Sequence, residues 1–426
     1  MDMEIDKMNK IFEIVSFYDD CRWKDEGNNN LINFYKDGLD ADTKLLTHWL
    51  CYITNRQTNF ERIFKEGGFV FSELADKYRQ KEDLLDLLKP NFESAFIRKD
   101  KTDPNKKESY SFIGKTKPNE LIKEKNIENE KVIFKSRFVP ADYLSILYTL
   151  HTLKEFNYSI TYFITKAYHA FKSDKEHLIQ KILFSLYLLS YNDIGQPKDK
   201  NIGNWEDNLE KGNKRRDEIW KYFDNHESKE DEFEEFKHNT RYHLKRAWCC
   251  LRDFLKSREF NSYFRNALEK YMDNSEIENL CDPILRNQLE LPGDVWNNNP
   301  KFQECILGVK KNDNSTLNQF LRDYYDNNIK NIDIESGYPE QFDVTFDFVP
   351  RMCDKNNCAI CPIGRLSEKG KDFNKICLDD TSKSKYCPVT LVGCGYKIIC
   401  EGREVCKLHK SLKSWTIMSP EICTVS

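Results

Sequence analysis

The chain lacks a strong charge of either sign: 66 Lys and Arg face 70 Asp and Glu, a net charge of −4 over 426 residues. That excludes a protein gripping nucleic acid by bulk cationic charge, although a local basic groove remains open. It lacks any run of about 18 apolar residues, so no membrane-spanning helix is expected. No apolar h-region follows the opening MDMEIDKMNK, so no secretion signal is read and an intracellular, cytoplasmic setting is expected. Internal repeats and long coiled coils are missing too, and strand signals are sparse before residue 340. What remains points to a mainly α protein.

At about 150 residues per domain, the length suggests two or three domains. Hydrophobic residues make up 39% and aromatics 13%, more than a disordered chain carries, so a globular core is expected. Residues 1–98 read as an N-terminal helical region. Within it Leu45, Leu46, Trp49, Leu50 and Ile53 define one wide apolar helix face. A helical pattern over Asn59–Tyr78 is interrupted by a break at Gly67-Gly68. Residues 99–139 are a charged insertion or loop.

Residues 140–345 form the main helical domain. Pro140 and Asp142 suit a helix N-terminus, where a fixed φ and an acidic first turn are favourable. A helix over Lys175–Leu189 is apolar on nearly all sides, which marks a central position. Residues 195–215 read as loop, followed by helices over 216–225 and 230–257. Residues 346–426 form a cysteine-rich module, with a hairpin expected over 386–400.

Of fifteen cysteines, six lie in the first 350 residues and nine in the last 76. The six (Cys21, Cys51, Cys249, Cys250, Cys281, Cys305) read as small core hydrophobes. The nine read as metal ligands, with disulfides or buried thiols as the alternative. In Cys353-x4-Cys358-x2-Cys361-Pro362, three thiolates converge from one short loop, the soft donor set chosen by iron–sulfur clusters and zinc. Cys377 and Cys387 are the candidates for a fourth ligand. The Cys-Pro pairs at Cys361 and Cys387 favour a [4Fe–4S] cluster over zinc. Cys394, Cys400, Cys406 and His409 supply either a second site, which zinc would suit, or core residues of a small domain. A pin that folds a loop is a sufficient role, because metal-binding free energy becomes folding free energy.

A helical body followed by this C-x2-C-P loop resembles the iron–sulfur helix-hairpin-helix DNA glycosylases, the endonuclease III-like superfamily. Three further segments are similar. LLTHWLCYITNRQTNFERIF (45–64) is like the family's early helix and polar turn. HLKRAWCCLRDFL (243–255) places Lys245 where the family carries its lysine nucleophile. LELPGDVWN (289–297) is like the turn that presents the catalytic aspartate, here Asp294, although Leu291-Pro292-Gly293 is also a candidate for the hairpin itself. The resemblance implies a two-lobed helical fold, DNA as partner and removal of a modified or damaged base.

In that chemistry a carboxylate, Asp294, stabilises the cationic sugar and orients the nucleophile. The Lys245 amine attacks the sugar and forms a Schiff base, which allows strand cleavage. The everted base stacks on an aromatic, for which Trp49, Trp248 and Trp296 are candidates. Lys214, Arg215, Arg216, Arg241 and Arg246 are candidate phosphate contacts. Each residue has an ordinary alternative: Lys245 solvated, Asp294 bonded to its own turn, the indoles in the core, and the cations paired with the acidic run Glu230–Glu235. Two rival functions stand beside the glycosylase: a non-catalytic iron–sulfur or zinc protein that binds nucleic acid, and an iron–sulfur redox or sensing protein.

Overall fold

The structure is a computed structural model. It describes residues 31–54, 60–84, 86–88, 112–115, 130–133, 140–190, 205–238, 242–256, 258–282, 285, 288, 289, 318 and 319. The chain divides into two units, one of Asn30–Asn239 with His243–Gln288, the other of Met1–Asn29, Thr240–Tyr242 and Leu289–Ser426. Nearly all described residues belong to the first unit. Helices on both sides of the 99–139 segment share the core of that unit.

The described residues are mainly helical. Helix α1 (Ala41–Ile53) starts at Asp40, whose extended backbone and side-chain bond to the Thr43 N–H (2.7 Å) satisfy a free donor of the first turn. Its expected apolar face is entirely buried. Helix α2 (Phe60–Arg79) runs unbroken through Gly67-Gly68, against expectation. Gly68 sits there because α2 closes on the turn that precedes α1, Leu31–Phe34: a Cβ would lie 3.0 Å from the Phe34 carbonyl oxygen. Helix α3 (Pro140–Leu153) begins at the proline, as expected. The chain then turns through Asn157 and Tyr158, both at positive φ, and Ser159 caps α4 (Ile160–Phe171) by accepting from the Tyr162 N–H at 2.9 Å.

Helix α5 (Leu178–Leu189) is buried on nearly all sides, as its composition requires. Helix α6 (Trp205–Asp224) takes in eleven residues, 205–215, expected to be loop. Its inward face includes Asn208, Gly212 and Arg215, polar or small residues that hide the helical period. Beyond it lie α7 (Glu230–His238), α8 (Tyr242–Lys256), α9 (Arg258–Leu268) and α10 (Asn274–Leu280), so the expected 230–257 helix is two helices. An antiparallel pair, β1 (Phe112–Lys115) and β2 (Glu130–Ile133), lies within the segment expected to be charged loop.

Helix α1 is central, packing against α2, α3, α4 and α9, while α6 covers α3, α4 and α5. Between α4, α5, α6 and α7 the core is aromatic: Phe184 meets Tyr222 edge-on (5.4 Å) and Phe236 at 4.9 Å, and Phe171 lies 4.8 Å from Tyr222. Burying such large rings is the main favourable contribution to this arrangement. Among the described residues no helix is long and apolar enough to cross a membrane.

Candidate functional site

Helix α8 carries three of the described candidates, Lys245, Arg246 and Trp248. Its apolar side (Ala247, Leu251, Phe254, Leu255) is buried, and that leaves polar residues close to the core. Lys245 is half-buried in the first turn. Next to it, Arg246 is buried. Its Nη1 donates to Asp142 Oδ1 (3.2 Å) in the first turn of α3 and to the Ile53 carbonyl at the end of α1. A guanidinium there meets both a carboxylate and the negative end of a helix dipole. Arg246 is thus an interior ion-pair partner, and a role in holding phosphate is not open to it in this position.

Further along α8, Asp253 gathers a buried network. Its Oδ1 accepts from Arg252 Nε (3.1 Å) and Nη2 (3.0 Å). Its Oδ2 accepts from Tyr52 Oη (2.5 Å) and from His48 Nε2 (3.1 Å). His48 Nδ1 lies 3.0 Å from Tyr35 Oη, so a neutral imidazole that donates to Asp253 and accepts from Tyr35 satisfies every member. The His48 ring is enclosed by Phe260 (3.7 Å), Tyr52 (4.8 Å) and Phe64 (5.1 Å). A second buried carboxylate, Asp42, takes Arg79 Nη1 (2.6 Å) and Thr161 Oγ1 (2.7 Å), joining α1, α2 and α4.

Sequence reasoning missed both networks. It gave no role to Asp253, Tyr52 or Asp42. The available signal was a charged pair, Arg252-Asp253, set inside the apolar run AWCCLRDFL.

The two described indoles are core residues. Trp49 is 0% exposed, with Nε1 directed to Thr149 Oγ1 (3.4 Å). Trp248 is 1% exposed and is covered by the Arg252 guanidinium 5.2 Å from its ring centroid. Neither ring offers a face to an everted base here, which corrects the base-pocket expectation for both. The cationic candidates are engaged as well. Lys214 pairs with Glu210 (2.9 Å), Arg215 with Glu218 (3.3 Å), and Arg216 with Asp217 (3.0 Å) and Glu155 (3.5 Å). The hydrogen bond from Lys214 to Glu210 raises the Lys214 pKa. These partners are not the acidic run, whose Glu230, Glu232 and Glu234 pair with Lys181, Lys229 and Lys237.

Four of the six scattered cysteines are described, and all are buried free thiols: Cys51, Cys249, Cys250 and Cys281. Burial pushes the Cys51 and Cys250 thiols well up, which keeps them protonated and poor ligands. Among the described residues no group of three His, Cys, Asp or Glu side chains is arranged to hold a metal ion. Arg241, Asp294, Trp296, Cys353, Cys358, Cys361, Cys377, Cys387, Cys394, Cys400, Cys406 and His409 lie outside the described residues, as does the expected 386–400 hairpin. Compared with protein-family models, curated proteins and solved structures, the chain matches none of them.

Proposed function

We propose that this chain is a divergent DNA base-excision glycosylase with an associated lyase step, built on a two-lobed helix-hairpin-helix body with an iron–sulfur tail. The observation that carries the reading is the setting of Lys245. The turn that bears its amine is anchored one residue on by Arg246, held to Asp142 and to the end of α1. A nucleophile needs such a fixed mount, since small displacements cost large factors in rate. In the reaction the Lys245 nitrogen bonds to the sugar carbon that bears the base. The glycosidic electron pair leaves with the base, which is protonated, while Asp294 balances the positive charge on the sugar. Loss of a proton from the amine and opening of the sugar then give the Schiff base.

A [4Fe–4S] cluster, with zinc as the alternative, suits the donor set of Cys353, Cys358 and Cys361 with Cys377 or Cys387. Its role in this reading is to brace the tail. Borohydride treatment of the full chain with DNA carrying damaged or abasic sites tests the reading. A covalent adduct that Lys245→Ala abolishes, with excision lost in Asp294→Asn while DNA binding is retained, is the expected result. Wild-type behaviour of both variants overturns it.

A second reading, a non-catalytic nucleic-acid-binding protein with a metal-pinned tail, is favoured by the coverage of Trp49 and Trp248. It predicts DNA binding with no adduct in any variant.

A further inference from the structure

We propose that the surface around the N-terminal ends of α1 and α4 binds single-stranded nucleic acid through three lysine–tyrosine pairs. Lys44 Nζ, on the first turn of α1, lies 4.1 Å from the Tyr263 ring centroid on α9. Lys166 Nζ lies 5.2 Å from Tyr162, one turn back on α4. Lys81 Nζ, just past α2, lies 5.8 Å from Tyr158. Tyr162 also meets Tyr271 at 4.9 Å, which continues the aromatic surface towards α10.

These pairs belong to one surface because Arg79 ties its parts together. Its guanidinium bonds Asp42 (2.6 Å) and Asp40 (3.3 Å) at the start of α1, and the Tyr158 carbonyl (3.0 Å) just before α4. Arg79 and Lys270 (4.0 Å) thereby engage the nearby Asp40 carboxylate. Among the described residues, Lys44, Lys81 and Lys166 meet rings and no carboxylate. Each ammonium has three donors and a ring engages one side of it, so donors remain for phosphate oxygens. The four tyrosines are half-buried, held in place yet partly open, which suits stacking of unpaired bases. An acidic peptide would use the lysines and leave the rings idle.

The backbone supplies a separate observation. Lys81, Asn157 and Tyr158 are the three non-glycine residues at positive φ among the described residues (65°, 55° and 59°), and all lie at this surface. Lys81 and Tyr158, which face each other, sit in helix-ending turns where the Glu82 N–H donates to the Lys77 carbonyl (3.2 Å) and the Tyr158 N–H to the Leu153 carbonyl (2.8 Å), so backbone bonds hold both residues in place.

The surface is remote from the candidate lysine. Arg246 bonds the last carbonyl of α1, whereas the pairs surround its first turn, and 13 residues of helix span about 20 Å. The proposal therefore stands whether or not Lys245 is a nucleophile.

Anisotropy of a fluorescein-labelled oligothymidylate of about 15 nucleotides, titrated with the full chain at several salt concentrations, tests it. Tyr162→Leu is expected to weaken binding on the order of tenfold. The double variant Lys81→Gln/Lys166→Gln is expected to reduce the slope of log affinity against log salt by about 1.4. Lys211→Gln serves as the control with unchanged affinity, and unchanged melting of each variant shows that the fold is kept. Borohydride trapping is read separately, on an abasic duplex, so failure of the lyase reading would be distinguished from failure of this one. Unchanged affinity and slope in the Tyr162 and lysine variants overturns the proposal. So does a duplex or polyglutamate that competes as well as free oligothymidylate in wild type and variants alike.

Discussion

His48 Nε2 lies 3.1 Å from Asp253 Oδ2 and joins α1 to α8 across 205 positions of sequence. Both side chains are buried, and Asp253 also holds Arg252 and Tyr52, so its carboxylate decides where the second half of α8 sits against α1. Arg246 fixes the other end of the same helix to Asp142. Lys245 is thus carried on a helix pinned at one end by a buried ion pair and at the other by buried hydrogen bonds from His48 and Tyr52 to the Asp253 carboxylate.

Removing one partner of such a pair leaves the other charge buried and uncompensated. Asp253→Ala is expected to cost about 3–5 kcal/mol, because Arg252 then has no counter-ion in the core. Tyr52→Phe removes one donor only and is expected to cost about 1 kcal/mol. Urea unfolding of the full chain followed by far-UV circular dichroism measures both. Equal, small effects would show that the network is not a stabilising clamp.

Gly212 lies where α6 crosses α3. A Cβ at this position would meet His151 Cδ2 at 2.9 Å and Tyr148 Cδ1 at 3.1 Å. Alanine normally favours a helix by about 1 kcal/mol over glycine. Here the clash is expected to outweigh that gain, so Gly212→Ala should melt below the wild type, with a cost of about 1–3 kcal/mol for overpacking. A melting temperature at or above that of the wild type contradicts the close approach of the two helices.

Mild acid should weaken this unit through histidine. Burial holds His151 and His169 below the usual 6.5, so the fold favours their neutral forms. Their contribution is complete above pH 6.5 and is lost as pH falls from there through the folded values. His151→Gln keeps a donor for Asn213 and removes the titration. The melting temperature of this variant is expected to fall less than that of the wild type between about pH 7 and 5.5. An identical fall in both would exclude His151 as a source. The capping carboxylates act lower: hydrogen bonds from the backbone of Glu276 and the side chain of Ser275 hold Asp273 below the usual 3.8, so its contribution is lost only as pH falls below that.

Much of the helical layout was legible, because apolar residues at helical spacing must be buried. The face Leu45, Leu46, Trp49, Leu50, Ile53 and the start of α3 at Pro140 follow directly from that rule. The first half of α6 escaped it because buried Asn208, Gly212 and Arg215 face inward: Asn208 meets the Tyr148 hydroxyl (2.9 Å), and Gly212 permits the close crossing. The indoles and cations were legible as residue types but not as environments. Burial of Trp248 beneath Arg252, or pairing of Arg216 with Glu155, depends on tertiary contacts that spacing does not encode. The His48–Asp253 pair was hidden for the same reason.

The central claim, that the tail thiolates hold an inorganic cluster bracing a DNA-acting body, is tested most directly by iron and acid-labile sulfide analysis of the full chain purified without oxygen. About four irons and four sulfides per chain are expected, with visible sulfur-to-iron absorption, both lost in Cys358→Ala. Stoichiometric zinc without sulfide, or no metal that depends on Cys353, Cys358 and Cys361, would contradict it.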